Sequence, residues 1–137
     1  MPVDLNALCM SFLMFLNQQD MYESVDTCPE IKIKPVSELQ IIACDGAACP
    51  IKAFYDLEEK TIFLSSQLDL DYSLDRSILL HELVHYVQDV NGKWEEEEDE
   101  CRSGMRRELN AFIVQEKYLL QQNLHIPVSQ QMAYYRC

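Results

Sequence analysis

No stretch of eighteen apolar residues occurs in this chain, so no segment of it reads as a membrane-spanning helix. The densest apolar run, Ala7–Leu16, is interrupted by Ser11 and preceded by Asp4 rather than by a basic segment. It reads as a buried helix and not as a signal peptide. Basic residues are scarce and unclustered, 11 against 23 acids for a net charge of −12. Nucleic acids and anionic membranes are poor partners for such a chain, because both recruit proteins through lysine and arginine patches. None of the six cysteines forms a C-x-x-C pair, which argues against a four-cysteine zinc ribbon or a thioredoxin-type site. Histidine is rarer still, with three in 137 residues. No internal repeat is visible, and the length suits one domain, residues 1–137, with a real hydrophobic core.

The cysteines that are present fit disulfides in an oxidising compartment better than buried thiols. Cys44-Asp-Gly-Ala-Ala-Cys49 reads as a local loop closed by one bridge, with Gly46 helping its ends to meet. The remaining Cys9, Cys28, Cys101 and Cys137 then allow three connectivities. An extracytoplasmic location, periplasmic or secreted, follows as an expectation, together with removal of an export signal that is not visible here. Half of the net charge comes from the acidic run Glu95–Glu100. Such a run reads first as a solvated loop, with a calcium site or a steering field for a basic substrate as its alternatives.

Along the chain, Val3 to about Met21 predicts a helix buried on more than one side. Ile31–Lys34 alternates as a half-buried strand ended by Pro35. Ser37-Glu38-Leu39-Gln40 fits a capping box opening a short helix to about Cys44. Ile51–Tyr55 and Thr61–Leu64 predict a hairpin around the polar turn 56–60. A helix is expected from about Leu74 to Asp89, stopping near Asn91-Gly92, and a last long helix from about Arg102 to Gln122. Pro127 is expected to end any helical continuation.

Two of the three histidines fall in His81-Glu82-Leu83-Val84-His85, on the first of these long helices. Residues four apart share a helix face about one turn apart. Two imidazoles so placed can bind one Zn²⁺, while the glutamate after the first histidine reaches a metal-bound water. Ile78, Leu79, Leu83, Val84 and Val87 supply the apolar flanks that would bury such a helix.

A catalytic zinc site needs a third protein ligand and one open position. The metzincin continuation requires glycine at position 88 and histidine at 91, and Gln88 and Asn91 exclude it. His125, near the end of the last helix, reads as a surface or capping residue. Glu108 is the better third ligand. It shares a face with Ala111, Phe112 and Gln115, and the small Ala111 lets its helix approach the motif helix closely.

HELVH followed by a glutamate in an E-x-x-A setting on the next helix resembles the gluzincin zinc metallopeptidases, and the compact size resembles their minimal members. The stretch from Thr61-Ile62-Phe63-Leu64 through HELVHYVQ to RRELNAFIVQEKYL is also similar to a family of small, cysteine-containing, uncharacterised zinc-peptidase-like proteins of bacteria. The resemblance covers about residues 50–122. It implies a compact α+β zincin-like domain with a small, mostly antiparallel sheet packed on the motif helix and a following glutamate-bearing helix. It implies Zn²⁺ held by His81, His85 and Glu108, with Glu82 as general base in the hydrolysis of a peptide or protein substrate. It also implies that strand Thr61–Leu64 borders the cleft and pairs with extended substrate. Thermolysin-like gluzincins carry an aspartate four residues after the glutamate ligand, where this chain has Phe112. Support for the zinc histidines must then come from elsewhere, with Asn110 and Asp75 as candidates. Tyr134 or Tyr135 could supply an oxyanion donor, whereas Tyr86 points away from His85.

Two rival readings remain. In some minimal gluzincins the C-terminal segment blocks the cleft, which extends to Pro127–Cys137 the expectation of a latent enzyme with a disulfide-pinned tail. In a non-catalytic interaction module, the metal site would be structural.

Overall fold

The computed structural model describes residues 3–94 and 99–137. The acidic positions 95–98 of the expected solvated loop lie outside the described residues. Helix α1 spans Leu5–Asn17 and is capped by Asp4, whose carboxylate accepts from the amides of Asn6 and Ala7. It buries one stripe, Cys9, Phe12, Leu13 and Leu16, at the i, i+3, i+4, i+7 spacing of a surface helix. Met10 and Met14 are left exposed, so this helix is not buried on several sides as its density of apolar residues predicted.

Strand β1 (Glu30–Lys34) leads into α2 (Val36–Cys44). The expected capping box does not form. Pro35, not Ser37, is the N-cap, and its carbonyl takes the amides of Glu38 and Leu39 at 3.0 and 3.1 Å. The fixed φ of proline makes Pro35 a ready helix entry, which places Ser37 inside the first turn. Strands β2 (Ala53–Asp56) and β3 (Thr61–Ser65) follow as the expected antiparallel hairpin, with Tyr55 opposite Ile62. β1 adds to the other side of β3 in parallel, with Ile31 opposite Ile62, so the sheet is mixed and its order is β1-β3-β2. β3 is therefore central, and both its edges are hydrogen-bonded. It cannot pair with an extended substrate, as the resemblance implied; the free strand edges belong to β1 and β2.

Every residue of β3 is buried. Ile62 and Leu64 enter the main core, while Phe63 points to the opposite face, where α2 supplies Leu39. Helix α3 (Ser73–Val90) runs through the main core and buries Leu79, Leu80, Leu83, Val84 and Val87. It stops at Asn91-Gly92 as expected. The Asn91 side chain donates to the Val87 carbonyl and accepts from the Glu23 amide, and Gly92 takes the left-handed φ of +74°.

Helix α4 (Glu100–Gln121) starts two residues earlier than its pattern suggested, because Asp99 caps it by accepting from the Cys101 amide. It packs along α3 through Ala111, Phe112, Val114 and Gln115, and Tyr118 sets its ring edge-on against Phe12 of α1. α4 does not continue through Pro127, as expected, but Pro127 leads into a separate tail 3-10 helix, Val128–Tyr134, which lies on α4 with Val128 in the core. Three disulfides close the described chain: Cys9–Cys28, the expected local Cys44–Cys49, and Cys101–Cys137. No helix among the described residues is long and apolar enough to cross a membrane.

Candidate metal centre

α3 and α4 bring three of the four expected site residues to one point. His81 and His85 stand one turn apart on α3, both buried, and Glu108 faces them from the third turn of α4. Ala111, fully buried, is the small residue that allows this approach. The donor atoms of the three side chains all lie within 4.8 Å of one another. His81 Nε2 is 3.4 Å from Glu108 Oε2, and His85 Nε2 contacts the other oxygen, Oε1. Donors around a tetrahedral ion with bonds of about 2.0–2.2 Å stand about 3.3–3.6 Å apart. The cluster therefore fits a metal ion with little rearrangement. Two imidazoles and one carboxylate also form the donor set of open zinc sites.

The groups that aim the histidines were not the ones expected. Asp75 accepts from the Asp69 amide, and Asn110 donates to the Tyr22 hydroxyl. Two buried glutamines do the work instead. Gln115 Oε1 meets His81 Nδ1 at 3.0 Å, and Gln88 Oε1 meets His85 Nδ1 at 2.9 Å. The remaining bonds settle which end of each amide faces the ring. Gln88 Nε2 donates to the Arg107 carbonyl, which can only accept, and to the Tyr22 hydroxyl. Gln115 Nε2 donates to Ser77 Oγ, whose own proton goes to the Leu74 carbonyl. Both amide oxygens must then face histidine, so each imidazole carries a proton on Nδ1 and, when a metal is bound, would coordinate it through Nε2. Phe112, four residues after Glu108 where thermolysin-like gluzincins carry an aspartate, packs its ring 4.5 Å from that of His81.

Glu82 is half-buried, and its carboxylate has no hydrogen bond or ion pair among the described residues. Its charge acts on His85 and on Tyr135, which places it near the cluster without making it a ligand. Tyr135 hydrogen-bonds through its hydroxyl to Glu108 Oε2 at 3.1 Å, while Tyr134 is 88% exposed and takes no part. Burial, with the Glu108 charge behind it, pushes the Tyr135 phenol up to about 12, so it stays a donor at neutral pH. Tyr86 turns away as expected and donates to the Thr27 carbonyl. His125 is exposed.

A cavity of about 250 Å³ opens onto His85 and Glu108, walled by Trp94, Met105 and Tyr135 among others. Trp94 donates from its indole to the His85 carbonyl and sets its ring against the His85 imidazole. Arg107, buried, stacks 4.0 Å from the Trp94 ring centroid and bonds Glu100. Neither residue carried a sequence signal. Arg107 sits next to Glu108 in an ordinary charged stretch, and Trp94 borders the acidic run.

The metal-free cluster has a definite charge state. Burial pushes the Glu108 carboxyl up, but hydrogen bonds from His81 and His85 outweigh it and hold the group far below the ordinary carboxylate range. Burial pushes His85 down, yet the Glu108 hydrogen bond and the Glu82 and Glu108 charges win, and its pKa lies above 6.5. A depressed carboxylate stabilises above its unfolded value of 4.5 and loses that stability only as pH falls through the folded value. A raised histidine stabilises fully below 6.5 and loses it as pH rises through the folded value. The pair therefore contributes most between about pH 4.5 and 6.5. Chelator-treated protein is expected to lose Tm as pH rises from 6.5 to 8.5, and a Glu108→Gln variant to lose less over the same range. A Tm equally flat for both in thermal unfolding would show that the pair does not act this way.

Fold and cluster together define a small α+β protein whose two central helices present a His-His-Glu set able to hold a metal ion. The chain belongs to the family described as Domain of unknown function (DUF6647), whose model matches residues 2–135. No curated protein and no solved structure matches it.

Proposed function

We propose that the chain is a zinc-dependent peptidase of the gluzincin type, acting on a peptide or protein substrate outside the cytoplasm. The observation that carries this reading is the convergence of His81, His85 and Glu108 within 4.8 Å beside a Glu82 whose carboxylate has no hydrogen bond or ion pair among the described residues. When bound, zinc would supply Lewis-acid polarisation of the scissile carbonyl and of the attacking water. The chain's own residues divide the remaining work. His81 and His85, fixed in one tautomer by Gln115 and Gln88, and Glu108 hold the ion. Glu82 accepts the proton of the attacking water and passes it to the leaving amine, which its free carboxylate allows. The cavity beside His85 receives part of the substrate, with Trp94 and Met105 as its apolar wall. The free edge of β2, which packs against α3, replaces β3 as the strand for an extended substrate. Three disulfides support the extracytoplasmic location, since such bridges persist in oxidising compartments.

A second reading, a latent or non-catalytic zinc-binding module covered by its C-terminal segment, draws on the contact of Tyr135 with Glu108. The cavity left open between tail and cluster favours the first. The deciding experiment is metal analysis of the purified protein together with cleavage of a peptide library. One zinc per chain, with cleavage lost to a chelator and restored by zinc, is the expected result. A fully zinc-loaded protein that cleaves nothing in the library, and whose metal has a protein donor in the fourth position, would overturn the peptidase reading in favour of the module.

A further inference from the structure

Each of the three proposed ligands has a hydrogen-bond partner outside the ligand set. For His81 and His85 these are Gln115 and Gln88, both buried in the two central helices. For Glu108 it is Tyr135, which belongs to the tail and is 40% exposed. Buried packing fixes the glutamines, but it does not fix Tyr135. Something else must hold the phenol against the carboxylate.

That something is a clamp at both ends of the tail. At the near end, Glu116 accepts from the Ser129 amide and hydroxyl, at 2.7 and 2.5 Å, and Val128 is buried in the core. At the far end, Cys137 is bonded to Cys101 in the first turn of α4. Cys101, Met105 and Glu108 are spaced i, i+4, i+7 and so share one face of that helix. Cys137 Sγ also lies 3.1 Å from Met105 Sδ. The tail's end therefore lies along the face that carries Glu108, with Tyr135 two residues short of the disulfide. Past the 3-10 helix, which ends at Tyr134, the Tyr135 backbone has one hydrogen bond, to the Met132 carbonyl. The disulfide is the strongest constraint on this stretch.

We propose that Tyr135 is a positioning residue for the Glu108 carboxylate, and that the Cys101–Cys137 disulfide straps it in place, so that the metal centre reaches full affinity only when this bridge is formed. The inference rests on the reading of His81, His85 and Glu108 as metal ligands. It differs from a covering role for the tail. A strap that orients a ligand changes the equilibrium affinity, whereas a cover slows entry and exit alike and leaves affinity unchanged. The cavity that still reaches His85 and Glu108 beside Tyr135 accords with a strap.

The test uses the full chain and zinc alone, with uptake and release followed by competition with a chromophoric chelator. Variants are Tyr135→Phe, Cys101→Ser/Cys137→Ser, and the three substitutions combined. Tyr135→Phe keeps the ring and removes only the hydroxyl, so it tests the contact even where the cysteine variants unfold. Loss of an outer hydrogen bond to a metal ligand weakens metal affinity about 10- to 100-fold. Tyr135→Phe and the cysteine pair are each expected to weaken zinc binding by such a factor through faster release. The combined variant is expected to be no weaker than either. Three results would overturn the proposal: unchanged affinity in Tyr135→Phe, uptake and release accelerated equally, or losses that multiply in the combined variant. A wild-type chain that takes up no zinc would instead bring down the metal-centre reading, and this inference with it.

Discussion

Replacing Glu82 by glutamine is expected to abolish peptide hydrolysis while zinc stays at one equivalent per chain. Glutamine matches glutamate in shape and in helix propensity, so α3 should not register the change. The Glu82 carboxylate has no hydrogen bond or ion pair among the described residues, and no partner is orphaned by its loss. A half-buried substitution of this kind shifts stability by no more than about 0.5 kcal/mol. The amide cannot accept a proton, and a positioned general base is worth about 10²- to 10⁴-fold in rate. That corresponds to about 3–5 kcal/mol of barrier. The measurement is kcat/KM on the best library peptide, set beside zinc content and Tm for wild type and variant. A variant that keeps its rate after contaminating proteases are excluded would sink the mechanism. A variant that loses its zinc would make Glu82 part of the metal's own shell.

The long-range outline of this fold was legible because its determinants are local. The period of apolar residues in Ser73–Val90 and Glu100–Gln121, the Asn91-Gly92 stop and the 56–60 turn each act within a few residues of where they are written. β1 joining β3 in parallel is a different kind of fact. It depends on a crossover through α2, and alternation in Ile31–Lys34 shows a half-buried strand without naming its neighbour. The misplaced edge followed from this gap. Precedence before the motif helix points Thr61–Leu64 toward the cleft but says nothing of its neighbours in the sheet. Five consecutive buried residues, Thr61 and Ser65 included, are instead the mark of a strand flanked on both sides.

The cluster was legible for the same local reason, since i, i+4 spacing alone places His81 and His85 together. Glu108 needed one tertiary assumption, that Ala111 permits close approach, and the buried Ala111 bears it out. The supporting glutamines stand at suggestive positions, Gln115 on the Glu108 face and Gln88 one turn from His85, but a neutral amide gives no electrostatic signal in a sequence. Tyr135 lay further out of reach, because its place depends on Cys137 pairing with Cys101, one of three connectivities open beforehand.

Gln88 should prove the most sensitive of these supports, and Gln88→Leu should damage fold and site together. Its side chain is fully buried and all its bonding groups are engaged: the oxygen with His85, the amide nitrogen with the Arg107 carbonyl and the Tyr22 hydroxyl. Leucine fills a similar volume but leaves two buried groups, His85 Nδ1 and the Arg107 carbonyl, without this partner, each worth about 1–3 kcal/mol, and the half-buried Tyr22 hydroxyl loses one of its bonds. Leucine's apolar burial recovers part of that. A net loss of about 3 kcal/mol is expected, a large share of the roughly 5–15 kcal/mol that holds a domain together. In Tm this is a fall of about 10 °C, measured on metal-free protein. Freed from its acceptor, the His85 ring can rotate or shift its proton to Nε2. Zinc affinity should then fall about 10- to 100-fold, measured at a temperature where the variant is folded. Gln115→Leu separates the two effects. It disturbs only His81 and Ser77, so its stability loss should be smaller while its loss of zinc affinity is comparable. Equal Tm losses would mean that the Arg107 and Tyr22 bonds of Gln88 contribute nothing to the fold. Wild-type zinc affinity in both variants would mean that Glu108 and the backbone of α3, rather than the two glutamines, aim the imidazoles.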